Sequence, residues 1–482
     1  MRIVPLHRKS ATIIRCCLFL PLAAMAAGCA TLPEKSALQE PAPVESLAST
    51  QSLAAPSGEW PSDRWWETYG DRQLSALIDE GLAGATDLRI AQARFDRAQA
   101  IAGQARAPLL PSLSASAEAG ATQQSDNYLI PPGFGPRGWP EYGQIGVTLN
   151  WQLDFWGRNR AALAAARSDA AAAGAEAAAA RLQIAAGIAG AYADLGDIYA
   201  QRDAVDEAIK VREQTLGLMR EREKQGLENR GAVNRAMSAL AAARQERAAM
   251  DEAVMLAGNG IAALLGAGPD RGLGIARPQT DSIRGAGLPD NLPAELIGRR
   301  PDIVAARWRV EASQSRIGQA KAAFYPNINL AGLIGLQALG LDNVFRSGSD
   351  FGNIAPAISL PIFDGGRLRG QYREAEAGYS AAVAQYDGVL VQALREVADA
   401  TASQRALVNR LENARQSADS AQAAWTIAQN RYRGGLGTYL DVLAAEDAMI
   451  SSRRIVASLE ARAFTLDVAL TKALGGGFRS QG

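Results

Sequence analysis

Four stretches of the chain alternate apolar and polar residues. In residues 112–119, Leu113, Ala115, Ala117 and Ala119 alternate with Ser112, Ser114, Ser116 and Glu118. In residues 144–153, Ile145, Val147, Leu149, Trp151 and Leu153 alternate with Gln144, Gly146, Thr148, Asn150 and Gln152. In residues 327–331, Ile328 and Leu330 oppose Asn327 and Asn329. In residues 353–362, Ile354, Pro356, Ile358, Leu360 and Ile362 share one face. A period of two predicts strands with unlike faces. Ten residues of it, as in 144–153, match a membrane-spanning strand with lipid on one side and a polar lumen on the other. A half-buried strand of a soluble sandwich shows the same alternation, but a sandwich needs many strands. The predicted hairpins cover 112–153 and 327–362, linked internally by 123–142 and 336–350. Pro356 fits a barrel only where its amide position needs no partner.

Four strands cannot close a barrel, and an open edge in hydrocarbon is forbidden. Closed membrane barrels need at least about eight strands. Copies of the chain must pool their strands, and a trimer pools 12, above that bound.

The remaining pattern is helical and repeats. Residues 87–113 and 302–328 align at an offset of 215 with nine identities, among them Arg94/Arg309, Gly103/Gly318 and Pro111/Pro326. Each copy is a helix that stops at its proline and runs into a strand, so Pro111 and Pro326 mark helix-to-strand joints. Each hairpin is followed by a helical stretch of about 67 residues, Arg158 to Lys224 and Arg367 to Arg433, or about 100 Å of helix. That length implies a coiled coil, and the tract AALAAARSDAAAAGAEAAAA allows close approach of neighbours. Both stretches end alike, at Gly226-Leu227 and at Gly435-Leu436, with returns predicted over 232–265 and 441–474. Glycine is the expected residue where a helix stops and the chain reverses. The hairpin exits also match, as Gly157-Arg158-x-Arg160 and Gly366-Arg367-x-Arg369. The body divides into a first repeat, 69–268, a Gly/Pro-rich linker, 269–298, a second repeat, 299–475, and a tail, 476–482.

The N-terminus changes the chemistry available. Arg2, Arg8, Lys9 and Arg15 precede the apolar run CCLFLPLAAMAA, too short to span a membrane, which reads as a secretory signal. It ends in Ala26-Ala27-Gly28-Cys29, which resembles a bacterial lipobox, with residues 1–28 removed and Cys29 carrying lipid such as palmitate. Residues 29–68 then form an extended tether. Trp60, Trp65, Trp66 and Tyr69 are expected to dock it on the body; anchoring at a membrane interface is the alternative.

The 482 residues carry 50 basic and 50 acidic side chains, so no nucleic-acid partner is implied. Loss of 1–28 removes His7, Cys16 and Cys17. The mature chain then has no histidine and no thiol besides Cys29. That excludes Ser-His-Asp and Cys-His catalysis, His-ligated metals and an intrachain disulfide. No catalytic residue, cofactor or metal is expected. After residue 28 no 18 consecutive residues are apolar, so no spanning helix is expected.

Several features converge on one family: the lipobox, the duplicated helix–hairpin–helix unit, Leu296-Ile-Gly-Arg-Arg-Pro-Asp-Ile303, Ile317-Gly-Gln-Ala-Lys-Ala-Ala-Phe-Tyr-Pro326, Ile362-Phe-Asp-Gly-Gly-Arg367, and Arg431-Tyr-Arg-Gly-Gly-Leu-Gly-Thr-Tyr-Leu-Asp-Val-Leu443. Over residues 60–475 the chain resembles the TolC-like outer membrane factors, in the lipoprotein branch that serves RND-type efflux pumps. The resemblance implies a homotrimer, with a 12-stranded barrel in the outer membrane continued by a periplasmic α-helical barrel. It implies a periplasmic adaptor and an inner-membrane RND-type pump as partners, and passive passage of small molecules. The helix tips would act as an iris, closed at rest. Asp441 matches the family's acidic constriction, where threefold symmetry would set three carboxylates around the axis. A second aspartate found in some members is here Ala444. The reading of Asp441 from the chain alone is a solvated first-turn residue favoured by the helix dipole. Tyr432 and Arg433, the other candidates for the pore constriction, stand where tip residues link neighbouring helices. The first tip departs from the family's pattern at Arg230-Gly231.

Three other functions compete. The exit duct of a type I protein secretion system shares the fold, but the lipobox and the Pro-Asp-Ile segment favour efflux. A periplasmic coiled-coil scaffold would need no lipid-facing strands. An enzyme would need chemistry that the mature chain lacks.

Overall fold

The computed structural model describes residues 32–34, 37–125, 134–135, 137–279, 287–290 and 292–480. The signal segment and Cys29 lie outside the described residues.

The chain forms α1 (Arg72–Gly84), α2 (Thr86–Arg106), β1 (Ser112–Ala121), β2 (Glu141–Leu153), α3 (Arg158–Lys224) and α4 (Arg230–Leu264). It continues with α5 (Leu292–Arg299), α6 (Pro301–Ala322), β3 (Asn327–Leu339), β4 (Asp350–Ser359), α7 (Arg367–Arg433) and α8 (Tyr439–Ala473). The order of helix, two strands, 67-residue helix and 35-residue helix occurs twice. Neither long helix contains proline, and alanine has the best helix propensity of any residue. Between the halves, among the described residues, the linker holds a 3-10 turn, Pro269–Gly274, before α5.

One compact unit is built from the described residues of 1–41, 96–172 and 307–385 and holds the sheet. Its four strands run antiparallel in chain order, β1-β2-β3-β4. β1 and β3 each start one residue after a proline, Pro111 and Pro326. The register carries the alternation across the sheet. Ala115 faces Val147 and Val147 faces Ile334; Trp151 faces Leu330 and Leu330 faces Pro356. One face is therefore largely apolar, with Asp350 on it at the start of β4, and Ile334, Ile354 and Ile358 on it are about 70% exposed. The opposite face carries Ser114, Thr148, Asn150, Gln152 and Asn329 in register. β1 and β4 are edge strands of ten residues each, and Pro356 lies on one of them. At Gly335 a side chain is impossible, since a Cβ would collide with the carbonyl oxygen of Ile145.

The second hairpin differs from expectation at both strands. β3 runs to Leu339 rather than ending near Ala331, because Leu333 puts an apolar residue on the polar face and hides the alternation. β4 starts at Asp350 and stops at Ser359, not Ile362. Its last partner is Asn327, and the next residue back is Pro326, which has no N–H to offer. The link between them is correspondingly 340–349.

The other unit, residues 42–95, 173–306 and 386–482, is helical. Its largest core gathers Trp65, Trp66, Tyr69, Leu74, Ile78, Ile188, Tyr192, Ile261 and Phe464. Trp65 and Trp66 are 3% and 1% exposed, which favours docking of the tether over a membrane-interface role. Tyr69 meets the Phe464 ring edge-on at 4.7 Å and donates to Asp467 at 2.7 Å. The tether also pairs with the linker through a parallel bridge, Ser57 to Leu288. The Arg-Arg-Pro-Asp segment is structural here. Buried Arg300 donates to Asp302, to Glu396 and to the carbonyl of Ala473, closing the end of α8.

Trp66→Ala should destabilise this core by about 3–5 kcal/mol. Thermal melting followed by circular dichroism checks it; an unchanged midpoint would show that the tryptophan is not needed.

Candidate functional site

The candidate site is built where both long helices end, within the helical unit. Gly226 and Gly435 adopt φ of 71° and 72°, left-handed values that a side chain would strain. In each turn the next amide reaches back to close the helix, Leu227 N–H to Arg222 O and Leu436 N–H to Arg431 O, both 2.8 Å. This is the Schellman arrangement for a glycine stop. Leu227 and Leu436 project outward, 60% and 74% exposed. The Arg431 guanidinium also donates to the Leu436 carbonyl at 3.2 Å.

Each return helix opens with a cap. The Asn229 side chain accepts from Ala232 N–H. At α8, Thr438 and Asp441 form a reciprocal capping box: Asp441 Oδ2 accepts from Thr438 N–H and from Thr438 Oγ1–H, both at 2.8 Å, and Thr438 Oγ1 accepts from Asp441 N–H at 3.3 Å. These bonds from Thr438 hold the Asp441 carboxyl below its usual range. Asp441 is exposed and its first role is local, since it starts α8. The Thr-x-x-Asp spacing was a legible sign of that role.

Behind the turns lies a small core of Leu216, Met219, Val233, Leu240, Tyr432, Tyr439 and Val442. Tyr432, a candidate for the constriction, is 2% exposed in the single chain and packs between the tips. It links the two tips. Its hydroxyl donates to Glu228 at 2.9 Å, and its ring lies 4.5 Å under the Arg222 guanidinium. Burial, then the Glu228 carboxylate, push its pKa up to about 12. Arg433 is exposed, with no partner among the described residues. No sequence signal pairs Tyr432 with Glu228, which lies 204 residues away.

One turn further along α8, Glu446 is buried at 1% exposure. Oε2 accepts from Thr215 at 2.6 Å. Oε1 has no hydrogen bond and lies 3.9 Å from Arg212 Nε. Arg212 is shared, since it also reaches Asp447 at 3.1 Å and the Ala239 carbonyl at 2.8 Å. Desolvation pushes the Glu446 carboxyl up, against the pull of Thr215 and Arg212. Periodicity alone did not single it out, because a lone acid on a helix usually faces water.

Among the described residues no group of three metal-ligating side chains occurs, and no helix is long and apolar enough to cross a membrane. What the site offers is two helix hairpins, each stopped by a glycine and locked to the other by one tyrosine.

Two stretches, 77–267 and 292–476, match the model of the family described as outer membrane efflux protein. The chain belongs to the outer membrane efflux protein family. It is 36% identical over 368 residues to the fusaric acid resistance protein FusA of Burkholderia cepacia, covering 74% of this chain and 68% of FusA. It is 30% identical over 476 residues to the multidrug resistance outer membrane protein MdtQ of Escherichia coli, covering 95% and 97%. The crystal structure of the outer membrane protein VceC from Vibrio cholerae superposes with a TM-score of 0.83 at 45% identity, over 87% of this chain and all of that one. These matches favour the efflux channel and set aside the protein-secretion exit duct.

The folded pKa of Glu446 lies above its unfolded value, so the packed tip is favoured while Glu446 is protonated. That contribution is lost as pH rises from the ordinary glutamate range through the raised value. Amide exchange of α8 near Glu446, corrected for intrinsic rates, should show protection falling across that window. Glu446→Gln should flatten the dependence; an identical profile in the variant would remove Glu446 from control of the tip.

Proposed function

We propose that this outer membrane efflux protein is the exit channel of a tripartite pump. Three copies pool four strands each into a 12-stranded barrel, and the helices extend into the periplasm. A periplasmic adaptor and an inner-membrane RND-type pump supply substrate and drive, and small molecules pass through the pore passively. The observation that carries the reading is the sheet. It has one largely apolar face, one polar face and two unpaired ten-residue edges, β1 and β4. Pairing β4 of one copy with β1 of the next removes every edge. The loss is one ladder bond at Pro356, which has no N–H. The names of the relatives, which speak of fusaric acid and multidrug resistance, agree with an efflux role.

At the tips, three copies of Asp441 would form an acidic ring suited to passing cations. The capping box does not preclude this, because the carboxylate is exposed while it holds Thr438. The bond from Tyr432 to Glu228 would hold each pair of hairpins in the closed position.

Purified protein in planar bilayers should give single-channel currents, with a trimeric mass in detergent. A monomer without conductance would sink the channel reading. Asp441→Ala should raise leak and lower cation preference; an unchanged current takes Asp441 out of the pore. The lipid anchor is tested separately. Cys29→Ser should abolish incorporation of labelled palmitate, and continued labelling would exclude acylation at that residue.

A further inference from the structure

One repeated motif has no part in that reading, the hairpin exits Gly157-Arg158-x-Arg160 and Gly366-Arg367-x-Arg369. Each stands between a strand of the sheet and the start of a 67-residue helix. The helix starts themselves are already satisfied. Asp154 accepts the N–H groups of Asn159 and Arg160, and Asp364 accepts those of Gly366 and Leu368. Arg160 is also used locally, bonding the Asp154 carboxylate at 3.2 Å.

Arg158 and Arg367 are different. Arg158 has no hydrogen bond or ion pair among the described residues. Arg367 reaches Asp364 only at 3.8 Å and Gln371 at 3.2 Å. Arg158 and Arg367 both line one cavity of about 380 Å³, together with Asp154, Trp156, Tyr325 and Asn327; the Asp154 carboxylate is already engaged by Arg160 and the helix start. Its wall is braced. Trp156 stacks on Tyr325 at 4.8 Å and 17°, and its indole N–H donates to the Pro326 carbonyl at 2.9 Å.

A second feature accompanies the charge. Phe155 and Trp156, just before Arg158, are 62% and 51% exposed; Ile362 and Phe363, just before Arg367, are 44% and 91% exposed. An exposed apolar pair thus precedes the arginine at both exits. It follows the strands β2 and β4, which end at Leu153 and Ser359. A free anion would satisfy the arginines and leave this collar in water. A lipid satisfies both, and aromatic and arginine side chains are the residues that favour the boundary between acyl chain and headgroup.

We propose that the cavity at the two hairpin exits holds the phosphate headgroup of an anionic phospholipid, with Arg158 and Arg367 as its ligands and Phe155, Trp156 and Phe363 against its acyl chains. Guanidinium groups match phosphate oxygens in geometry and charge. The inference rests on the barrel reading, since only a membrane-inserted sheet brings these exits to a lipid surface.

The test is native mass spectrometry of the full-length protein after exposure to phosphatidylglycerol or phosphatidylcholine. The wild type should retain phosphatidylglycerol preferentially. Each arginine removed should lower that preference about fivefold, the worth of one basic residue at an anionic surface. Arg158→Ala with Arg367→Ala should abolish it, and Arg158→Gln alone serves if the double variant fails to assemble. Arg244→Ala, on α4, should change nothing. Equal retention of the two lipids, or an undiminished preference in the variants, overturns the site. Retention of inorganic phosphate without any lipid preference assigns it to a free anion and overturns the lipid. A failure of the barrel reading shows independently, as absence of conductance.

Discussion

A sheet facing hydrocarbon cannot leave its backbone edges unpaired, because no water is there to satisfy them. That constraint shapes this chain more than any side-chain contact does. The four strands form a single antiparallel sheet with two long free edges. Its faces are already sorted, largely apolar on one side and polar on the other, so only the edges are unresolved. Pooling strands among copies resolves them in the proposed assembly. The helices before β1 and β3 end at Arg106 and Ala322, and the prolines Pro111 and Pro326 stand directly before the strands.

The helical unit answers a different problem. Alanine-rich helices of 67 residues bury little apolar area per turn. Stability is therefore gathered at a few places: the aromatic core around Trp66 and Tyr192, the Arg300 clamp on α8, and the small core under the tips. The tips combine strong local structure with long-range ties. Glycine stops and caps define each hairpin by itself. The ties between hairpins are the small shared core and a set of polar contacts, among them Tyr432 to Glu228, Thr215 to Glu446 and Arg212 to Asp447. Such a design lets hairpins move as rigid pieces when those ties break, which suits a gate.

Much of this was legible beforehand. Both long helices were placed residue for residue, since long proline-free runs ending in glycine leave little ambiguity. β2 was legible because its alternation is unbroken. β3 was only half visible, because Leu333 breaks the pattern on the polar face. The site divides in the same way. The turns at Gly226 and Gly435 and the cap at Asp441 are local and could be read from spacing. Tyr432 stands by resemblance where tip residues link neighbouring helices, and only the structure names Glu228 as its partner.

By itself, then, the sequence determined what depends on near neighbours: helix lengths, glycine stops, caps and strand faces. Only the tertiary structure decided which distant residues meet. It set Glu228 under Tyr432, Thr215 against Glu446, and Arg158 beside Arg367. The physical reason is that periodicity reports which face of an element is apolar, whereas the partner of that face is set by register and packing across hundreds of residues.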